Sequence, residues 1–182
     1  LVAANTGFLN VIKSDVLTGA KIQGAHFKIE VWDDSTQTWS DYQNAGGLTV
    51  EGDTGADGLV SLGVMTPGKY RVVEVSAPAP YAVDTASYSS GLGGAISASG
   101  EFFINAGDSE GIVALATNAK KFSVTYHANG GTGTLVDPNS PYFENSGWTP
   151  LAPGSAITKA NSHFEGWNTE PDGTGTSYAV GQ

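Results

Sequence analysis

The sequence predicts an all-β chain, and three observations carry that prediction. Short extended runs rich in Val, Ile, Phe and Tyr recur along it, each bounded by Gly, Asp, Asn or Pro. Charged residues make up only 14% of the 182, well below the usual quarter, and Thr, Ser, Gly and Asn fill the gap as they do in strand-and-turn proteins. No stretch of a dozen residues keeps a helical period with a cap.

The elements follow in order. Strands are predicted over Phe8–Lys13 (FLNVIK), Ala25–Trp32 (AHFKIEVW), Leu59–Leu62, Tyr70–Val75 (YRVVEV), Phe102–Ile104 and Ile112–Thr117. Asp53–Gly58 (DTGADG) and Thr66–Gly68 (TPG) read as turns, because they supply residues that tolerate positive φ or fix φ at a turn value. Ala77–Pro80 (APAP) is extended and unsuited to a central strand. Ser87–Gly100 is rich in Ser and Gly and reads as a mobile loop.

The punctuation changes after Asn118, so the chain divides into residues 1–119 and 120–182. Only Ala119–Lys121 separate the last strand of the first part from a new one at Phe122–His127, which predicts modules that abut. In the second part Asn129–Gly131 (NGG) is a hairpin signal, Phe164–Trp167 (FEGW) a short aromatic strand and Pro171–Gly175 (PDGTG) a turn. The two parts show no internal repeat.

Composition excludes several roles. With 8 Lys plus Arg against 18 Asp plus Glu, the net charge is −10 and no basic stripe exists. Nucleic acid and anionic membrane are therefore poor partners. There is no cysteine, so disulfides, thiolate metal sites and Cys nucleophiles are absent, and any covalent staple uses other chemistry. No run of about 18 apolar residues appears. No signal-peptide pattern opens the sequence and no sorting signal ends it, which for a secreted protein reads as an excised fragment or a mature form.

In the first part, Val11-Ile12-Lys13-Ser14-Asp15, Thr18-Gly19 and Ile22-Gln23-Gly24-Ala25-His26-Phe27 come in a specific order. So do Pro67-Gly68-Lys69-Tyr70-Arg71-Val72-Val73-Glu74, Ala77-Pro78, Tyr81 and Leu115-Ala116-Thr117-Asn118. Over residues 7–118 this resembles the SpaA-type or Cna B-type modules of Gram-positive pilins and adhesins. The resemblance implies an immunoglobulin-like or prealbumin-like β-sandwich. It also implies an isopeptide bond between Lys13 and Asn118, promoted by Glu74. Strand alternation agrees with those positions. Leu9, Val11 and Lys13 share a face, as do Tyr70, Val72 and Glu74, and Ile112, Ala114, Ala116 and Asn118. Two alternatives stay open: a Lys near a strand end can snorkel to solvent, and Asn105 is a second acceptor off the final strand.

In the second part, Phe122–Gly131, Asp137–Tyr142, Phe164–Thr169, Asp172–Thr176 and Tyr178 resemble a Listeria–Bacteroides repeat of the internalin B-repeat type, over residues 122–182. That implies a small β-grasp-like module. Such repeats continue with another strand after the position of Gly181, so this one reads as incomplete at its C-terminus, with an edge able to recruit another chain.

Other constellations carry less. Glu51, Asp53 and Asp57 lack the spacing of an EF-hand loop, and His26, His127 and His163 lack zinc spacing; neither a metal nor a cofactor is implied. Trp39 and Tyr42, read as lying in a polar loop, form with Trp32 a candidate sugar-stacking platform, and Trp148 with Trp167 another, against the reading of Trp32 and Trp167 as core. No nucleophile–base pair can be named, so the chain reads as non-enzymatic. The expected role is an extracellular stalk or spacer of a cell-surface adhesin or pilus-like protein, partnered by other domains of the same protein. The alternative is a module that binds a host glycan or protein.

Overall fold

A computed structural model describes residues 7–105 and 111–180. The chain divides into two units, Leu1–Lys120 and Lys121–Gln182. The first contains strands β1 (Gly7–Asp15), β2 (His26–Asp33), β3 (Thr38–Asp41), β4 (Glu51–Asp53), β5 (Leu59–Met65), β6 (Gly68–Ser76), β7 (Ser87–Ser90), β8 (Glu101–Ile104) and β9 (Ile112–Asn118). A single 3-10 turn, Val83–Thr85, follows β6; no α-helix occurs among the described residues.

The strands form two sheets, β5-β1-β9-β7 and β3-β2-β6-β8, with β4 also paired to β2. The alternation read from the sequence produces the sandwich. In β1, Leu9, Val11, Lys13 and Asp15 are buried while Phe8, Asn10, Ile12 and Ser14 face outward. In β6, Tyr70, Val72 and Glu74 are buried, and in β9 Ile112, Ala114, Ala116 and Asn118. The core between the sheets includes Leu9, Phe27, Ile29, Tyr70, Val72 and Phe102. Each fully buried apolar side chain of this kind stabilises the fold by about 1.5–3 kcal/mol.

One pairing differs in kind. β1 and β9 run parallel, with Lys13 opposite Ala116 and Asp15 opposite Asn118. The other ladders of this unit are antiparallel. The first and last strands of the unit thus lie side by side. The Asp53–Gly58 turn braces this arrangement: Gly58 adopts a left-handed φ of 73°, and its carbonyl accepts the Lys13 N–H at 2.8 Å.

The Ser87–Gly100 expectation is corrected. Ser87–Ser90 is an edge strand on β9, not a loop, and Tyr88 and Ile96 are buried. The serines hid two apolar anchors, and an edge strand needs backbone pairing more than β-branched side chains.

The second unit holds β10 (Lys121–Phe122), β11 (Thr132–Gly133), β12 (Tyr142–Phe143), β13 (Ile157–Thr158), β14 (Trp167–Asn168) and β15 (Ser177–Tyr178). They pair as β10-β12, β11-β13 and β14-β15, each an antiparallel ladder of two residues per strand. No continuous sheet joins them among the described residues, so the β-grasp expectation gains no support here. The Asn129–Gly131 turn forms, with Asn129 and Gly130 at φ 45° and 81°. It closes no hairpin, because β11 pairs with β13 instead. The strand expected at Phe122–His127 shortens to its first residue and Lys121, and the one at Phe164–Trp167 begins only at Trp167. Aromatic packing replaces ladder bonds there: Tyr126 lies 4.6 Å from Trp167, and Phe164 5.0 Å from Trp167, between ring centres. Gly181, the position tied to the incomplete end, lies outside the described residues.

Truncating Phe27, which has 0% exposure, to alanine is expected to destabilise the first unit by about 3–5 kcal/mol in chemical denaturation. A loss under about 1 kcal/mol would show that this ring is not the core anchor its burial implies.

Candidate functional site

β1 and β9 carry Lys13 and Asn118 in one sheet, and β6 carries Glu74 in the other. All three point into the core, with exposures of 0%, 0% and 4%. Lys13 Nζ lies 3.1 Å from both Glu74 carboxylate oxygens. It also contacts Oδ1 of Asn118. The Phe27 ring lies beneath it, its centre 5.6 Å from Nζ.

The surroundings hold each group in place. The backbone of Lys13 is fixed on both sides, by its N–H to Gly58 O and by the Ile22 N–H to its own carbonyl. The Glu74 N–H donates to the Tyr88 hydroxyl at 3.0 Å. Asn118 Nδ2 donates to the carbonyl of Ala82 at 3.0 Å.

Burial decides the electrostatics. It pushes the Lys13 amine down from its ordinary pKa, against the opposing pull of Glu74. It pushes the Glu74 carboxyl up, against the pull of Lys13. Ionised groups are costly in such a site, so both shift toward their neutral forms. An amine and an amide carbonyl are thus in contact beside a carboxyl group, and burial favours the neutral forms that attack of an amine on an amide would require.

Asp15, two residues along the same face of β1, is also buried. It accepts the Thr18 and Leu17 N–H groups at 2.9 Å each. The Tyr81 hydroxyl donates to it at 3.0 Å, and Lys120 Nζ lies 3.4 Å away. Hydrogen bonding, above all from the Thr18 N–H, holds its carboxyl well below the usual carboxylate range. Sequence reasoning had Asp15 and Tyr81 within its motifs and assigned neither a role. Strand alternation could have flagged Asp15, since it continues the Lys13 face. Tyr88 carried no signal beyond being the one aromatic in a Ser/Gly-rich run.

The remaining candidates lie elsewhere. Asn105 is exposed, just past β8. Trp39 belongs to β3, not to a loop, and packs on Trp32 with 5.2 Å between ring centres. Its ring is already engaged: the Arg71 guanidinium lies 4.7 Å and Lys69 Nζ 5.2 Å from its centre. Tyr42 turns the other way and packs edge-on against core Tyr70 at 5.3 Å. The two rings therefore do not share one platform. Trp32 is half-buried on the outer face of its sheet. Trp148 and Trp167 are half-buried too, both packed around Tyr126. Asp53 and Glu51 both engage His26, at 2.8 and 3.5 Å, and Asp57 accepts the Leu59 N–H at 3.0 Å. His127 and His163 are exposed.

Comparison with known proteins adds the following. Residues 7–92 match the family model described as the SpaA prealbumin-like fold domain. Residues 122–182 match that of the Listeria-Bacteroides repeat domain. No curated protein matches the chain. Among solved structures it is similar to a streptococcal ancillary pilin, at 21% identity and a TM-score of 0.43, over 63% of this chain and 30% of that one. It is similar to the minor pilin of Streptococcus agalactiae at 16% identity and a TM-score of 0.44, over 68% and 48%. It is also similar to BcpA, the major pilin subunit of Bacillus cereus, at 19% identity and a TM-score of 0.43, over 63% and 30%. The chain spans less than half the length of each of these pilins.

Because the folded-state pKa of Asp15 is depressed, its carboxylate stabilises the fold above its usual value of 3.8. That contribution is lost as pH falls from there toward the folded-state value. Asp15→Asn is expected to lower the neutral-pH Tm and to flatten the acid limb of the Tm profile below about pH 4. A variant profile parallel to that of the parent would show that Asp15 does not drive the acid limb.

Proposed function

We propose that this chain, a SpaA prealbumin-like domain followed by a Listeria-Bacteroides repeat, is a stalk or spacer segment of an extracellular bacterial surface protein. It belongs to an adhesin or pilus-like protein of a Gram-positive cell wall, with the other domains of that protein as its partners. An autocatalytic Lys13–Asn118 isopeptide bond stiffens its first domain. The observation that carries this reading is the buried Lys13–Glu74–Asn118 cluster, which joins the first and last strands.

The reaction uses only these three side chains. Neutral Lys13 Nζ attacks Cγ of Asn118 while the Glu74 acid polarises Oδ1. The Nζ–Cγ bond forms and the Cγ–Nδ2 bond breaks. Glu74 passes the proton lost by Nζ to Nδ2, which leaves as ammonia. Glu74 ends as it began, and the step occurs once per molecule, so the protein is not an enzyme in the turnover sense.

The mechanical and thermodynamic consequences agree. The bond spans a sequence separation of 105 residues. A cross-link closing a loop of about 100 residues stabilises by about 4.7 kcal/mol in the loop-entropy account. Tension entering through β1 and leaving through β9 would cross a covalent bond instead of a ladder of hydrogen bonds. That serves a load-bearing spacer whose sequence has no cysteine.

Intact mass under denaturing conditions tests the chemistry. A deficit of about 17 Da, one ammonia, is expected in the parent and absent from Lys13→Ala and Glu74→Ala. An unmodified parent mass would refute the cross-link. Single-molecule stretching tests the role: residues 13–118 are expected to stay unextended in the parent and to unfold in Lys13→Ala.

A further inference from the structure

The Ala82 carbonyl that receives Asn118 Nδ2 is unusually well supplied. It also accepts the Thr85 hydroxyl at 2.6 Å and the Thr85 N–H at 3.1 Å. Ala82 directly precedes the Val83–Thr85 turn, and this short segment is pinned at both ends. At one end the Tyr81 hydroxyl donates to Asp15 on β1, two residues from the amine-bearing Lys13. Lys120 lies against both, 3.4 Å from the Asp15 carboxylate and 5.9 Å from the Tyr81 ring centre. The backbones of Tyr81 and Lys120 form an antiparallel bridge. At the other end Thr85 Oγ1 accepts the N–H of Ala119, the residue after Asn118, at 3.0 Å. One segment is therefore tied to the strand that carries the nucleophile and to the strand that carries the acceptor.

A carbonyl oxygen only accepts hydrogen bonds, so Ala82 selects the NH2 side of the Asn118 amide. Oδ1 is left in contact with Lys13 Nζ. The nitrogen that must depart is held by the Ala82 carbonyl, while Oδ1 contacts the attacking amine. We infer that Tyr81–Thr85 is a positioning strap for the cross-linking step, and that its Ala82 carbonyl makes position 118 specific for an amide over a carboxylate. This rests on the Lys13–Asn118 reaction proposed above. Tyr81 touches no reacting atom and acts through Ala82. An ionised aspartate at 118 would set a carboxylate oxygen against the Ala82 carbonyl, lone pairs facing lone pairs, so that side chain must first take up a proton before it can donate there as the amide does. After ammonia leaves, the two Thr85 donors keep the Ala82 carbonyl satisfied.

The test is kinetic and uses the full chain made by cell-free synthesis. Aliquots are denatured at intervals and the fraction lighter by about 17 Da is measured. Tyr81→Phe removes one hydroxyl, and Thr85→Val detaches the opposite end of the strap. Each is expected to slow the mass change about ten-fold, as loss of a reactive orientation does. Asn118→Asp at neutral pH is expected to lose water, about 18 Da, at least ten-fold more slowly than the parent loses ammonia. The same Tyr81 and Thr85 substitutions in a Lys13→Ala background report on folding alone and are expected to keep a cooperative thermal transition. Parent-like rates in Tyr81→Phe and Thr85→Val would overturn the strap. So would slow rates accompanied by loss of cooperative folding in the Lys13→Ala background, which would make its role structural. A parent-like rate in Asn118→Asp would overturn the specificity. A parent chain that never loses ammonia would instead refute the cross-link itself.

Discussion

The parallel pairing of β1 with β9 is the constraint on which the rest of the first unit depends. It sets the first and last strands of the sandwich in one register, with Asp15 opposite Asn118. From that register follows the placement of an amine and an amide on adjacent strands with a carboxyl arriving from the facing sheet. Two ionisable groups in a core would ordinarily be a liability. Here burial moves each toward neutrality against the pull of the other, which lowers each group's own cost, and a third, uncharged polar group completes the arrangement. Asp15 shows the opposite solution on the same strand face. It stays ionised because backbone N–H groups, a hydroxyl and a nearby ammonium surround it. One strand face thus holds a lysine that burial drives toward neutrality and a carboxylate that hydrogen bonds keep ionised, two positions apart and set apart by the kind of partner each receives.

Much of this was legible in the sequence for a simple reason. A strand has period two, so the faces of β1, β6 and β9 could be read directly from Leu9-Val11-Lys13, Tyr70-Val72-Glu74 and Ala114-Ala116-Asn118. What could not be read was whatever depends on the backbone or on edge pairing. β7 was hidden because serine-rich edge strands hold by main-chain bonds, which no side chain announces. β3 was hidden because Thr, Ser and Asp flank Trp39 and read as loop. The Ala82 carbonyl, central to the geometry around Asn118, would look the same beneath almost any side chain. In the second unit the aromatic motifs were visible, yet their pairings were not, because Tyr126, Phe164 and Trp167 hold one another by ring packing rather than by a ladder.

The outer surfaces of the two sheets divide their labour. The β3-β2-β6-β8 sheet presents Trp32 and Trp39 with Lys69 and Arg71 laid over the rings, and Arg71 and Lys28 both pair with Glu30. On that face cations are matched to carboxylates and aromatic rings, within a chain whose net charge is −10. The sheet that contains β1 and β9 puts Asn10, Ile12, Ser14, Leu115 and Thr117 outward, residues without formal charge.

The sequence distance between the paired strands also sets a clock. A chain that emerges amino-terminus first exposes Lys13 long before Asn118 exists, 105 residues later. In the proposed reaction, Lys13 has no acceptor until β9 is made, and without the sandwich it lacks the burial that pushes its amine toward the neutral form. For the bond proposed above, closure waits until the whole domain has been made, and its timing follows from the β1–β9 topology.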